Sequence, residues 1–325
     1  MLKTRVTEML GIQYPIVCGP YGNIPQIELA AAVSNAGGLG IIASAYYKTP
    51  EELRKAIREV KKLTKKPFGV NISLFPSVMP LPNAGYVDVI VEEGVKVAES
   101  SGVRDPGEFV SRLREGKITI IHKAATVRHC LKGQDAGADI ITIVGMENGG
   151  ATGMDDVSTL VLVPILVDVA KVPVLAGGGF ADGRGLVAAL SLGAEGIVMG
   201  TRFMATKECV IHPKYKEWLL KATERDTYQI MRSIQNTHRV LKSKASDDIL
   251  ALEAKGASLQ QLLPHIAGEV IKKVALEGDF EAGHAMAGEV VGLIHDVPTV
   301  QELMDRMIRE TKTIMQRLQK IGVGK

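Results

Sequence analysis

Eight short apolar segments alternate with helix-like segments over the first two hundred residues of the chain. Each apolar run has the length of a buried strand, and each following run has the spacing of a helix. An order of strand, helix, strand, helix is typical of a parallel sheet. Eight such units favour an α/β fold of the closed (β/α)8 barrel type over a doubly wound sheet. The predicted strands are 15–19, 39–44, 68–73, 95–100, 117–124, 138–145, 172–179 and 194–200.

The composition agrees with this architecture. The chain has 325 residues, of which 34 are glycine and only 4% are aromatic. Many glycines and few aromatics suit tight strand–helix turns around a core of small aliphatic side chains, and they argue against an all-β sandwich.

The sequence changes character after the eighth predicted strand. Residues 210–290 are mostly helical and polar in pattern, and 298–321 form one amphipathic helix. We therefore predict a barrel over 1–209, a helical subdomain over 210–297 and a final helix within 298–325. That helix is expected to pack either on the barrel or on a partner chain. In the second case the protein would be a homodimer.

Charge and cysteine content exclude several classes of protein. The net charge is +3 without a basic block, so nucleic acid is not an expected partner. No apolar run is long enough for a membrane helix, and the first residues lack a signal-peptide core. The three cysteines are far apart, which predicts neither disulfides nor a zinc site. These features predict a soluble cytoplasmic protein without a metal.

Glycine-rich turns follow three of the last predicted strands. The turns at 176–185 and 199–203 follow strands seven and eight, where barrels often bind phosphate. Glycine lets backbone N–H groups approach phosphate oxygens closely, and Thr201 adds a hydroxyl. The loop at 146–156 follows strand six and brings backbone close to the barrel mouth. The alternative is that these glycines only permit tight turns; their position after the expected pair of strands favours phosphate.

Two polar side chains lie at strand ends where barrel active sites are built. Lys123 ends strand five and needs an anionic or electron-rich partner, which could be a cofactor, a Schiff-base substrate or a neighbouring carboxylate. His122 alternates with it and is expected to point outward. Asn71 ends strand three, and its amide suits a flavin ring edge or a substrate carbonyl. A simple turn role for Asn71 is the alternative.

Six segments spread over nearly the whole chain resemble the nitronate monooxygenase superfamily, which also holds NADH:quinone reductases and enoyl-acyl carrier protein reductase II. They are AAAVSNAGGLGIIAS (30–44), KKPFGVNIS (65–73), IIHKAATVRHC (120–130), ENGGATG (147–153), AGGGFADGRGLVAALSLGAEGIVMGTRF (176–203) and IMRSIQNTHRV (230–240). The resemblance is strongest toward the NADH:quinone reductase branch.

The resemblance implies an FMN-binding barrel, and it assigns residues to the cofactor. Lys123 and Asn71 would lie near the isoalloxazine edge, and the loop Phe75–Pro82 would border a nicotinamide nucleotide. The other implied cofactor residues are Cys18, Gly19, Pro20, Gly149, Gly150, Gly178, Gly179, Gly200 and Thr201.

One position differs from the superfamily pattern. Many relatives carry a histidine after two glycines in the loop that follows strand six, whereas this chain has Ala151 there. Hydride delivery from a flavin needs no enzyme base, so reduction is expected to survive this difference. A proton could then come from water or from Tyr21, Tyr46 or Tyr47.

The function implied is an FMN-dependent oxidoreductase that uses NADH or NADPH to reduce a small-molecule acceptor, a quinone or an electron-poor C=C bond. The alternatives are nitronate oxidation with O2 and a flavin-binding barrel without turnover.

Overall fold

The computed structural model describes residues 2–75 and 80–321. Its strands are β1 (Ile16–Cys18), β2 (Leu39–Ala43), β3 (Phe68–Ser73), β4 (Val97–Ser101), β5 (Thr119–Ala124), β6 (Ile140–Val144), β7 (Gly150–Ala151), β8 (Val174–Gly177), β9 (Ile197–Met199), β10 (Thr227–Ile230) and β11 (His238–Leu241). Its α-helices are α1 (Arg5–Leu10), α2 (Ile27–Asn35), α3 (Pro50–Leu63), α4 (Asn83–Glu92), α5 (Gly107–Glu115), α6 (Val127–Asp135), α7 (Thr159–Val169), α8 (Gly183–Ser191), α9 (Thr201–Met204), α10 (Pro213–Lys221), α11 (Lys244–Ala254), α12 (Leu259–Ile266), α13 (Gly268–Lys272) and α14 (Val300–Lys320).

Eight parallel strands close into a barrel in the order β1-β2-β3-β4-β5-β6-β8-β9. Closure is made by β9, which pairs in parallel with β1. The predicted (β/α)8 barrel is confirmed, and all eight predicted strands are present. Helix α4 begins at Asn83, directly after Pro82.

The barrel interior is filled by aliphatic side chains and is closed at the amino ends of the strands. Helix α1 contributes Val6 and Leu10 to this interior cluster. Thr4 caps α1 and also donates its hydroxyl to the carbonyl of Glu195, just before β9. Since this end is sealed, a ligand site is left to the carboxyl ends of the strands, as in other barrels. The interior side chains of the strands are Val17, Leu39, Ile41, Val97, Ile121, Ile140, Leu175 and Val198.

Residues beyond the barrel form helices and also a small sheet that the sequence did not predict. Strands β10 and β11 form an antiparallel hairpin, and β7 adds two residues from the loop after β6. A separate apolar cluster, which includes Ile230, Val240 and Leu262, packs this sheet against α11 and α12.

Helix α14 packs along α8 and α2. A Cβ on Gly183 would lie only 2.6 Å from Glu310 Cβ, so the two helices approach as closely as glycine allows. This final helix therefore packs on the barrel of its own chain. Within 2–75 and 80–321, no helix combines the length and the apolar character needed to cross a membrane.

Candidate active site

Polar residues at the carboxyl ends of β3, β4 and β5 meet in one buried cluster. Lys123 Nζ donates to Glu99 Oε1 over 2.8 Å. Asn71 Nδ2 donates to the same oxygen over 2.9 Å and to Ser101 Oγ over 3.0 Å. Glu99 is completely buried, and Lys123 has 18% of its side chain exposed. Because burying an unpaired charge is costly, the charge of each residue is stabilised by that of its partner.

Strand alternation decides which side chains meet in this cluster. Glu99 and Ser101 lie on the inner face of β4, whereas Ser100 points outward and bonds His122 Nδ1 over 2.9 Å. The His122 ring packs against Gly133 of α6, where a Cβ would lie 2.1 Å from the ring. His122 therefore points away from the barrel interior, as its alternation with Lys123 predicts.

Two buried oxygens in the cluster have no hydrogen-bond partner among the described residues. They are Glu99 Oε2 and Thr142 Oγ1, and Thr142 lies beside Lys123 in the strand register. Buried polar atoms are nearly always satisfied in folded proteins. The two oxygens therefore point to a polar ligand at the barrel mouth.

The glycines after β8 and β9 differ in what surrounds them. Gly178 has φ +99°, and a Cβ there would lie 2.8 Å from Thr159 Oγ1, so this glycine serves packing. Gly179 has φ +79° with only Glu147 at 3.7 Å. A Cβ on Gly200 would meet Tyr21 Cε1 at 3.6 Å, an ordinary contact. A Cβ at Gly179 or Gly200 would thus meet only one residue at an ordinary contact distance, so the two turns are uncrowded, as a phosphate cradle requires.

The turn after β1 is fixed by hydrogen bonds. Gly19 N donates to the Met199 carbonyl over 2.9 Å, and Gln26 Nε2 donates to the Gly19 carbonyl over 3.1 Å. The Tyr21 hydroxyl donates to the Gly200 carbonyl over 2.8 Å. These bonds place Cys18, Gly19 and Pro20 beside the Gly200 turn. Burial raises the pKa of the Cys18 thiol, which keeps it protonated.

The loop after β6 is held by residues 284–289, which we call the C-terminal strap. A Cβ on Gly149 would lie 2.6 Å from Gly288 N, and Gly288 N donates to Thr201 Oγ1 over 3.0 Å. Arg239 Nη1 pairs with Glu289 over 3.0 Å and its Nε donates to the Met146 carbonyl over 2.8 Å. The strap therefore joins the β6 loop to the Gly200–Thr201 turn.

Comparison with known proteins assigns this barrel and its glycine turns to a family. The sequence profile described as "Nitronate monooxygenase" matches residues 3–83 and 76–310. The chain belongs to the nitronate monooxygenase family. Members of this family are generally flavin-dependent, and the chain is an oxidoreductase of this group.

Similar proteins in the family carry different names. FabK from Thermotoga maritima is 36% identical in sequence, covers 99% of this chain and 100% of its own, and superposes with a TM-score of 0.91. The (3aS,4S,5R,7aS)-5-hydroxy-7a-methyl-1-oxo-octahydro-1H-indene-4-carboxyl-CoA dehydrogenase of Rhodococcus jostii is 34% identical over 95% of this chain and 96% of its own. A probable nitronate monooxygenase of Staphylococcus haemolyticus is 29% identical over 96% and 98%.

Most of the predicted site residues lie at the carboxyl end of the barrel strands. Asn71 and Lys123 share the carboxylate of Glu99, while Gly200 and Thr201 lie by the C-terminal strap. Of the loop Phe75–Pro82, residues 76–79 lie outside the described residues, so its predicted contact with a nicotinamide nucleotide stays a prediction.

The predicted proton donors are placed differently from one another. The Tyr21 hydroxyl already bonds the Gly200 carbonyl, and burial holds its pKa well above the usual value, so it is a weak acid. Tyr46 lies after β2. Its ring packs edge-on against that of Tyr47, and the centroid of the Tyr46 ring is 5.1 Å from Lys272 Nζ. The buried Tyr47 hydroxyl has no partner among the described residues. Its hydroxyl is free of the bond that Tyr21 makes, but burial raises the pKa of Tyr47 as well, so neither tyrosine is a strong acid.

Glu99 was missed by the sequence reasoning although a signal for it existed. It is two residues after Val97, an interior side chain, so alternation places its carboxylate inside the barrel. An acidic residue at an interior position requires a partner. Within the described parts of the chain, no group of three or more His, Cys, Asp or Glu residues could hold a metal ion.

Proposed function

We propose that the protein is an FMN-dependent oxidoreductase that uses NADH or NADPH to reduce a quinone or an electron-poor C=C bond, such as that of an enone. The observation that carries the proposal is the open glycine cradle at Gly179 and Gly200, at the same end of the barrel as the Lys123–Glu99 pair. Bound there, FMN would supply hydride transfer at N5.

The chain's own residues have distinct tasks in this proposal. Gly179, Gly200 and Thr201 would hold the FMN phosphate, with the Thr201 hydroxyl hydrogen still available because its oxygen is the acceptor for Gly288. Lys123 would place a cation near the flavin ring, where it stabilises negative charge. Glu99 and Asn71 fix the position of that cation through hydrogen bonds of 2.8 and 2.9 Å to one carboxylate oxygen.

Ala151 favours reduction over the oxidation of neutral nitroalkanes. That oxidation begins with removal of an α-proton, for which a positioned base typically contributes 10²–10⁴-fold. The side chain at position 151 is a methyl group, so the position that carries a histidine in many relatives offers no base. Reduction needs only a proton for the acceptor, which water can provide.

A second candidate function is the oxidation of a CoA thioester. One relative is named as the dehydrogenase of a carboxyl-CoA. Here Glu99 Oε2 is a buried carboxylate oxygen without a partner among the described residues, so it can accept the proton that leaves the carbon α to a thioester carbonyl.

An anaerobic substrate panel on the purified flavoprotein tests both functions. We expect NADH or NADPH to bleach the flavin and a quinone or enone to restore its colour, with ping-pong steady-state kinetics. Bleaching by an acyl-CoA alone would favour the second candidate. Efficient oxidation of an alkyl nitronate, without any NAD(P)H-dependent reduction, would contradict the proposal.

A further inference from the structure

The barrel strands carry a single pair of charged residues. Glu99 of β4 and Lys123 of β5 are the only Asp, Glu, Lys or Arg residues in the eight strands, all of which lie in the described part of the chain. The inward side chains that precede them on the two strands are aliphatic, Val97 and Ile121. The charge that the strands place at the barrel mouth therefore comes from these two residues.

The carboxylate lies close enough to the ammonium group to neutralise it. Lys123 Nζ is 2.8 Å from Glu99 Oε1, and the other side chains that bond within the cluster, Asn71 and Ser101, are uncharged. Glu99 is completely buried, so solvent ions do not screen its charge. At a distance, two opposite charges so close together act as a dipole, whose potential falls off faster than that of a lone charge.

The thiol of Cys18 in β1 is influenced by both charges. Burial is the main cause that raises the pKa of this thiol; among smaller effects, the charge of Lys123 lowers that pKa and the charge of Glu99 raises it. A negative charge at Cys18 would thus be stabilised by Lys123 and destabilised by Glu99. Cys18 is predicted to border the flavin ring, so a reduced flavin is expected to experience the same opposition.

We propose that Glu99 sets the reduction potential of the bound flavin by neutralising Lys123. Lys123 alone would stabilise the negative charge of reduced FMN and raise its potential, and Glu99 offsets part of that effect. Because Glu99 acts through Lys123, it is a positioning residue.

A low potential has a consequence for the direction of the reaction. A flavin at lower potential is a stronger hydride donor, since the free energy of electron transfer follows the difference in potential. The pair therefore favours reduction of a quinone or an enone over removal of hydride from a saturated acyl-CoA. This inference rests on the proposed reductase function and concerns the direction of hydride transfer at the same site.

Sulfite binding and a redox titration measure the charge beside the flavin without turnover. Sulfite adds to oxidised flavin through its own electron pair, bleaches it and leaves a negative charge on the ring, so a nearby cation tightens its binding. Glu99→Gln keeps an oxygen that accepts from Lys123 and removes the negative charge. We expect this variant to lower the Kd of sulfite about tenfold, or about 1.4 kcal/mol, and to raise the two-electron midpoint potential by about 30 mV.

Lys123→Met is expected to change both measurements in the opposite direction. It removes the cation and leaves the carboxylate, so sulfite binding weakens and the midpoint potential falls. A purely structural role of the pair would move both variants in the same direction, because each variant leaves one member of the pair unpartnered.

Glu93→Gln is the matched control. Glu93 caps the carboxyl end of α4, just before β4, and so lies toward the amino ends of the barrel strands. Its carboxylate is only 10% exposed and pairs with Arg54 over 3.2 Å and with Arg58 over 2.9 Å. The substitution breaks a largely buried ion-pair network without changing the charge at the barrel mouth, so sulfite affinity and potential are expected to stay at their wild-type values.

Further outcomes separate this inference from the proposed function. Glu99→Ser, a smaller neutral variant, replaces Glu99→Gln if the latter does not fold; if neither folds, a potential that does not fall in Lys123→Met overturns the inference. It is also overturned if wild type binds sulfite as tightly as the Glu99 variant. A flavin that NAD(P)H does not reduce, but whose sulfite affinity still responds in opposite directions to the two substitutions, refutes the reductase function and leaves the inference standing.

Discussion

Replacing Gly200 with valine is expected to give folded protein that purifies without colour. Its φ of −110° is open to any residue, and a Cβ would meet Tyr21 only at an ordinary 3.6 Å. The backbone thus accepts a Cβ at this position, and the two methyl groups of valine are expected to extend into the cradle. Loss of two charge-assisted bonds to a phosphate corresponds to about 3–6 kcal/mol, or an FMN affinity lower by about 10²–10⁴-fold.

Flavin titration and thermal unfolding separate binding from folding in this experiment. Gly22→Val is the matched control, since nothing lies within 4 Å of a Cβ at Gly22 in the turn after β1. Gly178→Ala, in contrast, is expected to lower the melting temperature, because its Cβ would lie 2.8 Å from Thr159 Oγ1. A Gly200→Val protein with stoichiometric FMN would refute the cradle assignment.

Among substitutions at the barrel mouth, Lys123→Met is expected to have the largest effect on stability and on flavin reduction. It leaves the carboxylate of Glu99 buried without its cation, and breaking a buried ion pair in this way costs about 3–5 kcal/mol. It also removes the charge proposed to stabilise the reduced flavin. We expect a lower melting temperature, weaker FMN binding and slower reduction by NAD(P)H.

The double variant Lys123→Met with Glu99→Leu distinguishes the two effects. Removing both charges eliminates the unpaired carboxylate, so stability is expected to recover largely. Stopped-flow reduction is expected to stay slow, since the cation is still absent. Recovery of both stability and reduction rate, or a flavin potential unchanged by Lys123→Met, would remove Lys123 from the site.

The barrel could be predicted from the sequence because its signal is local. Each strand is an apolar run that turns at glycine or a cap, and the carboxyl ends of parallel strands gather at one edge. Lys123 and Asn71 were found from that rule alone, and Glu99 could have been found from alternation with Val97. Its pairing with Lys123 follows once the two strands are neighbours.

The small sheet and the C-terminal strap could not be predicted in the same way. Strand β7 is two residues long, too short for any periodicity, and exists because β11 pairs with it from almost ninety positions away in the sequence. Gly288 likewise reaches Thr201 across 87 positions. Such contacts depend on tertiary packing. The domain division, homodimer, cytoplasmic location and NADH or NADPH dependence stay predictions.

The C-terminal strap has a consequence for how the protein is made. Chains fold from the amino terminus as they leave the ribosome. The barrel strands and the Gly200 turn are then synthesised well before Gly288, which holds Thr201, and before Glu289, which pairs with Arg239. A nascent chain can close its barrel early, yet it acquires the last wall of the cradle only near the end of translation. Firm retention of the cofactor is therefore expected to follow completion of the polypeptide.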